Sequence, residues 1–282
     1  MEPVAAPAPS RSRADLVGVV LAAGTGTRLD PLTQLLPKAL CPVGNRALVD
    51  LALDRIGPLV GSLAVNAHHH GERLRSHLDE QWSEVVTVSL ERDEPLGTAG
   101  GIGRLRSWID GRSVVVVNAD GWTPTPLDAL LEGWGGQTVR VMVNGGSTFS
   151  PSSKIVASTL PWRIVERLDD SPTGLYEVVW RNAFAIGELE VVSHDGVFID
   201  CGTPLDYLRA NLEAVALAGG SIVAEGGQID ASATVTSSVI GAGARIFGEV
   251  EASVVWPGQV VESGERLIRS IRAGTSVTVG PL

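Results

Sequence analysis

The chain has 282 residues, 44% of them hydrophobic, which is enough for one large domain with a smaller appendage. Its 32 acidic residues outnumber its 22 basic ones, giving a net charge of −10. That balance argues against a nucleic-acid partner, because binding the phosphate backbone calls for a basic surface. No apolar run reaches the roughly 20 residues of a membrane span. The opening MEPVAAPAPSRSRAD lacks the layout of a signal peptide and reads as a disordered tail over residues 1–14, so a cytoplasmic protein with no membrane partner is expected. Cys41 and Cys201, the two cysteines, are expected to be free thiols.

In chain order, apolar runs and helical stretches alternate. Strands are expected at 16–21, 62–66, 85–90, 113–118 and 139–143, and helices at 47–56, 71–81, 100–109 and 127–134. The run SVVVVN at 113–118 is apolar without alternation, as a strand buried on both faces would be. This βαβα order predicts an α/β fold: a Rossmann-like, mostly parallel sheet with helices on both faces. Further on, Thr203-Pro204-Leu205-Asp206 opens a helix with an N-cap, a proline at the first turn and an acid at the third position. Gly219-Gly220 ends it.

From residue 221 the pattern changes. Aliphatics recur at a spacing of six in Ile229/Val235, Ile240/Ile246, Val255/Val261 and Ile271/Val277, with small residues between them. Such a period predicts a parallel β-helix of some three coils. The expected organisation is a tail at 1–14, a main domain at 15–219 and a repeat tail at 220–282. No histidine follows His194, so the tail lacks the base an acyltransferase would need, and oligomerisation or packing is its expected role.

The stretch after the first strand, LAAGTGTRLDPLTQLLPKAL (21–40), concentrates chemistry. Glycines let successive backbone N–H groups face an anion. Arg28 can grip phosphate oxygens bidentately, and Lys38 adds a point charge. The spacing is not that of a P-loop, and Leu29 stands where a dinucleotide fingerprint needs its third glycine, which disfavours a hydride-transfer enzyme.

This stretch resembles the signature of the sugar-1-phosphate nucleotidylyltransferases, in particular compact bacterial members and mannose-1-phosphate guanylyltransferases. Three later segments match in order: EPLGTAGGIG (94–103), VVVVNADGW (114–122) and VFIDCGTPLDYLRAN (197–211). The resemblance implies that a sugar 1-phosphate attacks the α-phosphorus of a nucleoside triphosphate and releases pyrophosphate. It implies Arg28, Lys38 and Asp120 as catalytic residues and Mg²⁺ as cofactor, held by Asp120 and Asp200. It assigns nucleotide contacts to Leu21, Ala23, Gly24, Gly26, Thr27, Gly97, Thr98 and Gly100. It also implies a left-handed hand for the β-helix, and GTP with mannose 1-phosphate as the favoured substrates.

The sequence departs from the family pattern in several places. Ala119 replaces a glycine before the first aspartate, and Asp30 stands where a basic residue is common. The region between the fifth strand and the second aspartate is short and lacks a Glu-Lys pair, with Pro151 at a glycine-type position; Ser150 and Lys154 are the candidates left for the sugar phosphate. A catalytically weak, nucleotide-binding regulatory paralogue is the alternative this shortening motivates. His68-His69-His70 cannot all face one ion and is expected to be a strand-to-helix turn. Trp122, Trp134, Trp162 and Trp180 show no stacking period and are expected to pack.

Overall fold

The computed structural model describes residues 12–278; most of the tail expected at 1–14 lies outside them. Within that segment, Arg13–Asp15 forms a single 3₁₀ turn capped by Ser12. The described residues form two compact units: those up to Gly24 together with Leu51–Phe198, and Thr25–Asp50 together with those from Ile199 onward. This division is not linear. Packing groups the 25–50 segment and the helix after Thr203 with the C-terminal tail, whereas composition alone marks a boundary at 219/220.

The first unit is built on seven strands: β1 (Leu16–Leu21), β2 (Ser62–Ala67), β3 (Val86–Leu90), β4 (Ser113–Asn118), β5 (Val139–Asn144), β6 (Ile155–Leu160) and β7 (Leu189–His194). They lie in the order β7-β5-β6-β4-β1-β2-β3. All neighbours are parallel except β6, which runs antiparallel to β4 and β5. The fold is therefore mixed α/β with a mostly parallel sheet. Val17, Val19, Val114 and Val116 pack on one face against Ile102 and Ile109. On the other face Gly18 makes room for α1 (Leu48–Ile56), since a Cβ there would lie 2.7 Å from the Ile56 side chain. Helices thus cover both faces. The helix α2 (Gly71–Trp82) buries Leu74 and Leu78 and leaves its charged face in water.

Two helices differ from expectation. The segment expected as one helix at 100–109 starts earlier, as α3 (Gly97–Arg104), and breaks at Leu105 before a single turn, Arg106–Ile109. The helix expected at 127–134 reduces to the 3₁₀ turn Asp128–Leu130. Gly133 and Gly136 adopt positive φ there, and the Trp134 indole donates to the Thr138 carbonyl, so the chain turns out of the helix before a second turn forms. Trp122 and Trp134 are buried, and Trp162 and Trp180 pack against the core formed by Val17, Ile102 and Val114, as expected.

In the second unit, α4 (Pro204–Ala218) begins as its sequence predicts. Thr203 Oγ1 accepts from the Asp206 N–H, and Gly219 closes the helix at φ 73°. After it the tail stacks in three parallel ladders. Ile222 pairs with Val239, Val239 with Val254 and Val254 with Ile271; Gln228–Ile229, Arg245–Ile246 and Val260–Val261 form the second face, and Thr234–Thr236, Glu249–Glu251 and Arg266–Ile268 the third. Ile240, Ile246, Val250, Val255, Val261 and Leu267 fill the interior. Ile229, expected among them, is exposed because the first coil has no coil stacked beneath it. One corner is a serine ladder: Ser238 Oγ accepts from the Ser253 N–H at 3.0 Å, and Ser253 Oγ from the Ser270 N–H at 2.9 Å. These buried hydroxyls also donate to carbonyls of their own and the next coil, so each serine of the ladder is paired. Neither cysteine is in a disulfide, and both are buried.

Candidate active site

The first unit carries a cleft of about 240 Å³ at the carboxyl ends of its central strands, where open α/β sheets bind ligands. Its walls are Leu21, Ala23 and Gly24 on one side and Pro95, Gly97 and Thr98 on the other, with Asn66, Asn118 and Asp120 between them. The Ala119 N–H donates to the Leu21 carbonyl at 2.9 Å, which carries the β1–β4 pairing one residue beyond the strands and delivers Asp120 to the cleft. Gly24 faces open space, with nothing within 4 Å of where a Cβ would stand.

The other expected glycines answer to different constraints. Gly97 lines the cleft, but its φ is +71° and a Cβ would sit 2.5 Å from the Thr173 carbonyl oxygen. Gly100 lies behind the wall, where a Cβ would meet the Ser171 carbonyl at the same distance. The Thr98 hydroxyl accepts from the Leu175 N–H at 2.7 Å. Glycine at these positions thus lets the 171–175 segment close over α3 from behind.

A second, mostly apolar cavity of about 170 Å³ shares Leu21, Thr98 and Asn118 with the cleft and extends under Gly174–Trp180 along β4 and β6. Ser150 and Lys154 do not line either cavity. They lie in the short β5–β6 connection, where Ser150 bonds to Ser152 and Ser153 and the Lys154 side chain is exposed. His68-His69-His70 form the β2–α2 turn, with His70 at φ 51° before α2.

The second unit gathers the charged residues. Asp200 ends the two-residue strand β8 (Ile199–Asp200), its carboxylate 3.9 Å from the Arg28 guanidinium and 3.7 Å from the Lys38 ammonium. Arg28 is largely exposed and Lys38 buried along its stem, so one cation is free to reorient while the other is fixed. Gly26 (φ +67°) sets the turn before Thr27 and Arg28, and a Cβ on it would crowd Lys38 and Thr33 at 3.0 Å. Asp30 accepts from the Thr33 hydroxyl, so its charge is turned toward its own turn. Cys41, three residues after Lys38, is no nucleophile, because burial pushes its thiol up to about 12 against the opposing pull of Lys38.

Both clusters suit phosphate chemistry. Among the described residues no three His, Cys, Asp or Glu side chains could hold a metal by themselves. A cation bound by Asp120 or Asp200 would take its remaining ligands from phosphates and water, which is how Mg²⁺ binds.

Relatives agree with this chemistry. The nucleotidyl transferase family profile matches residues 17–140. The N-acetylmuramate alpha-1-phosphate uridylyltransferase of Caulobacter vibrioides is 34% identical over 234 residues, spanning 71% of this chain and 97% of that one. The chain belongs to the sugar-1-phosphate nucleotidylyltransferases. Mannose-1-phosphate guanylyltransferase 1 of Arabidopsis thaliana is 26% identical to this transferase, over 89% of this chain and 79% of its own. A crystal structure of a Bacillus anthracis protein in complex with a sucrose, described as a glucose-1-phosphate thymidylyltransferase, shares the fold: TM-score 0.60 and 18% identity, covering 71% of this chain and 95% of that one. Asn66, Pro95 and Asn118 of the transferase's cleft were not expected from sequence. An asparagine closing an apolar strand, as in SLAVNA, is the one signal that would have pointed to Asn66, since a buried amide is costly unless its bonds are made.

Proposed function

We propose that this transferase binds its nucleoside triphosphate in the cleft between the Leu21–Gly24 and Pro95–Thr98 walls, and that its sugar 1-phosphate lies toward the adjoining cavity. An oxygen of the sugar phosphate attacks the α-phosphorus in line, the bond to the bridging oxygen breaks, and pyrophosphate leaves. The nucleophile is already an anion, so no protein base is needed; the protein's work is positioning and neutralising charge. Arg28 is assigned to the β- and γ-phosphates, with the Gly26-Thr27 backbone beside it, and Lys38 to the α-phosphate or the sugar phosphate. Asp120 and Asp200 are the carboxylates for a divalent cation, taken as Mg²⁺, which when bound would neutralise phosphate charge. The observation that carries this reading is Asp120 at the floor of a cleft whose two walls are the glycine-bearing loops.

For the substrates, UTP with an N-acetylmuramate-type sugar 1-phosphate is the first pair, since the uridylyltransferase relative is matched almost end to end at 34% identity. GTP with mannose 1-phosphate is the second, favoured by the EPLGTAGG resemblance and by guanylyltransferases matched over most of this chain. The tail is assigned to left-handed coils and to assembly of a homo-oligomer. Pyrophosphate release with Mg²⁺, crossing five nucleoside triphosphates with a panel of sugar 1-phosphates, tests the function directly. One strong pair is expected. Nucleotide binding without turnover on any pair would instead favour a regulatory paralogue. Asp120→Asn should abolish turnover with the melting temperature unchanged, and full activity in that variant would overturn the metal assignment.

A further inference from the structure

Beneath the cleft runs a continuous chain of hydrogen bonds that joins its two walls. Asn66, near the end of β2, is buried to 1% exposure, and its Oδ1 accepts from the Ala22 N–H at 2.7 Å. Its Nδ2 donates to Glu91 Oε1 at 2.7 Å, and the second oxygen of Glu91 accepts from the Leu96 N–H at 2.8 Å. Ala22 stands between the Leu21 and Ala23 of one wall, and Leu96 between the Pro95 and Gly97 of the other. Glu91 is itself anchored. Its N–H donates to the Ala67 carbonyl, its carbonyl oxygen bonds to His68 Nδ1 at 2.8 Å, and the residue is 3% exposed. Gly101 clears the space, because a Cβ there would lie 2.6 Å from Asn66 Nδ2 and 3.0 Å from Glu91 Oε1.

We infer that Asn66 and Glu91 are positioning residues that fix the spacing of the two nucleotide-cleft walls, and that the pair works only because one member offers two acceptors. Both ends of the chain, Ala22 and Leu96, are backbone donors. Between two donors, an amide with one donor and one acceptor must be joined to a group that only accepts. The carboxylate of Glu91 meets that count. A glutamine in its place would not: whichever way the two amides turn, one donor faces another. Burying a carboxylate is expensive, and a structural filler would not need one. The inference rests on the reading of this cleft as the nucleotide site.

The same count supplies the test. Glu91→Gln keeps the shape and breaks the pairing. Asn66→Asp combined with Glu91→Gln moves the acceptor-only group from position 91, just past β3, to position 66 on β2 and restores every bond. The Ala22 N–H and the introduced side-chain amide then both donate to the new carboxylate on β2, and the Leu96 N–H donates to the oxygen of that amide. Displacing reacting groups by about 1 Å can cost roughly 100-fold, so Glu91→Gln is expected to raise the KM for the nucleoside triphosphate by about 10-fold or more. The KM for the sugar 1-phosphate should move by less than about threefold, and the double variant should return the nucleotide KM to within about threefold of the parent. Melting temperatures are recorded for all variants. Should Glu91→Gln fail to fold, a double variant that folds with near-parental nucleotide KM still supports the inference. A Glu91→Gln enzyme with parental KM values, or a folded double variant as impaired as the single one, overturns it. Gly24→Ala in the same assay separates the two readings. If it leaves the nucleotide KM unchanged, the cleft assignment fails; if it raises that KM while Glu91→Gln does not, only the bridge fails.

Discussion

Replacing Gly24 with alanine separates a glycine kept for a ligand from one kept for the fold. Gly24 does not adopt a positive φ, and nothing lies within 4 Å of an added Cβ. Alanine at such a position narrows the unfolded ensemble and stabilises by about 0.4–1 kcal/mol. In a chain of this size that raises the melting temperature by roughly 1–4 °C. The same methyl would project into the cleft where the nucleotide is proposed to lie against the backbone. Overfilling a packed site costs about 1–3 kcal/mol, and each 1.4 kcal/mol is tenfold in affinity. The nucleotide KM should therefore rise about 5- to 150-fold, while the sugar-phosphate KM moves little. Initial-rate measurements of pyrophosphate release, paired with thermal denaturation, read both quantities. A higher melting temperature with an unchanged nucleotide KM would refute the cleft assignment. A melting temperature lowered by several degrees would refute the argument from open space.

Gly97→Ala should behave in the opposite way. The left-handed φ costs about 1–2 kcal/mol for a residue with a Cβ, and the Thr173 carbonyl must also move, so the melting temperature should fall by roughly 5–10 °C; an unchanged value would contradict the packing reading. Tyr207→Phe removes the hydroxyl that accepts from the Trp256 indole at 2.9 Å and donates to the Pro42 carbonyl. Asn211 still reaches Pro42 at 3.5 Å, so the indole is the group left without a partner, and the loss should be about 1–3 kcal/mol by urea denaturation. His194 is buried, and burial first, then the Arg55 guanidinium, hold its imidazole below the usual 6.5, with Asp195 opposing. The unfolded chain takes up this proton at a higher pH than the folded one, so the contribution is complete well above pH 6.5 and is lost as pH falls through that value. The urea midpoint should drop as pH falls through 6.5, and His194→Gln should flatten that drop; an equal drop in both proteins would assign it to other groups.

How much of this was legible in the sequence follows from the range over which each feature is determined. The strands at 16–21 and 113–118 are set by unbroken apolar runs, and α4 by a cap, a proline and an acid within four residues, so local pattern suffices for them. The 127–134 helix fails for the complementary reason. Its apolar spacing is helical, but glycines at 133 and 136 and the tie from Trp134 to Thr138 act at and beyond the end of the window and win. The glycines of EPLGTAGGIG were legible as a motif and not as a cause. At Gly100 and Gly101 the space is taken by the Ser171 carbonyl and by the Asn66–Glu91 pair, none of which is near in sequence. The same holds for the bridge itself. Asn66 and Glu91 stand 25 residues apart, on β2 and just past the end of β3, and only the β2–β3 register puts an amide beside a carboxylate. A single sequence shows that position 91 is acidic. That it must be acidic follows from the two backbone donors at the ends of the chain, and those become opposed only after the sheet has set the distance between the two walls.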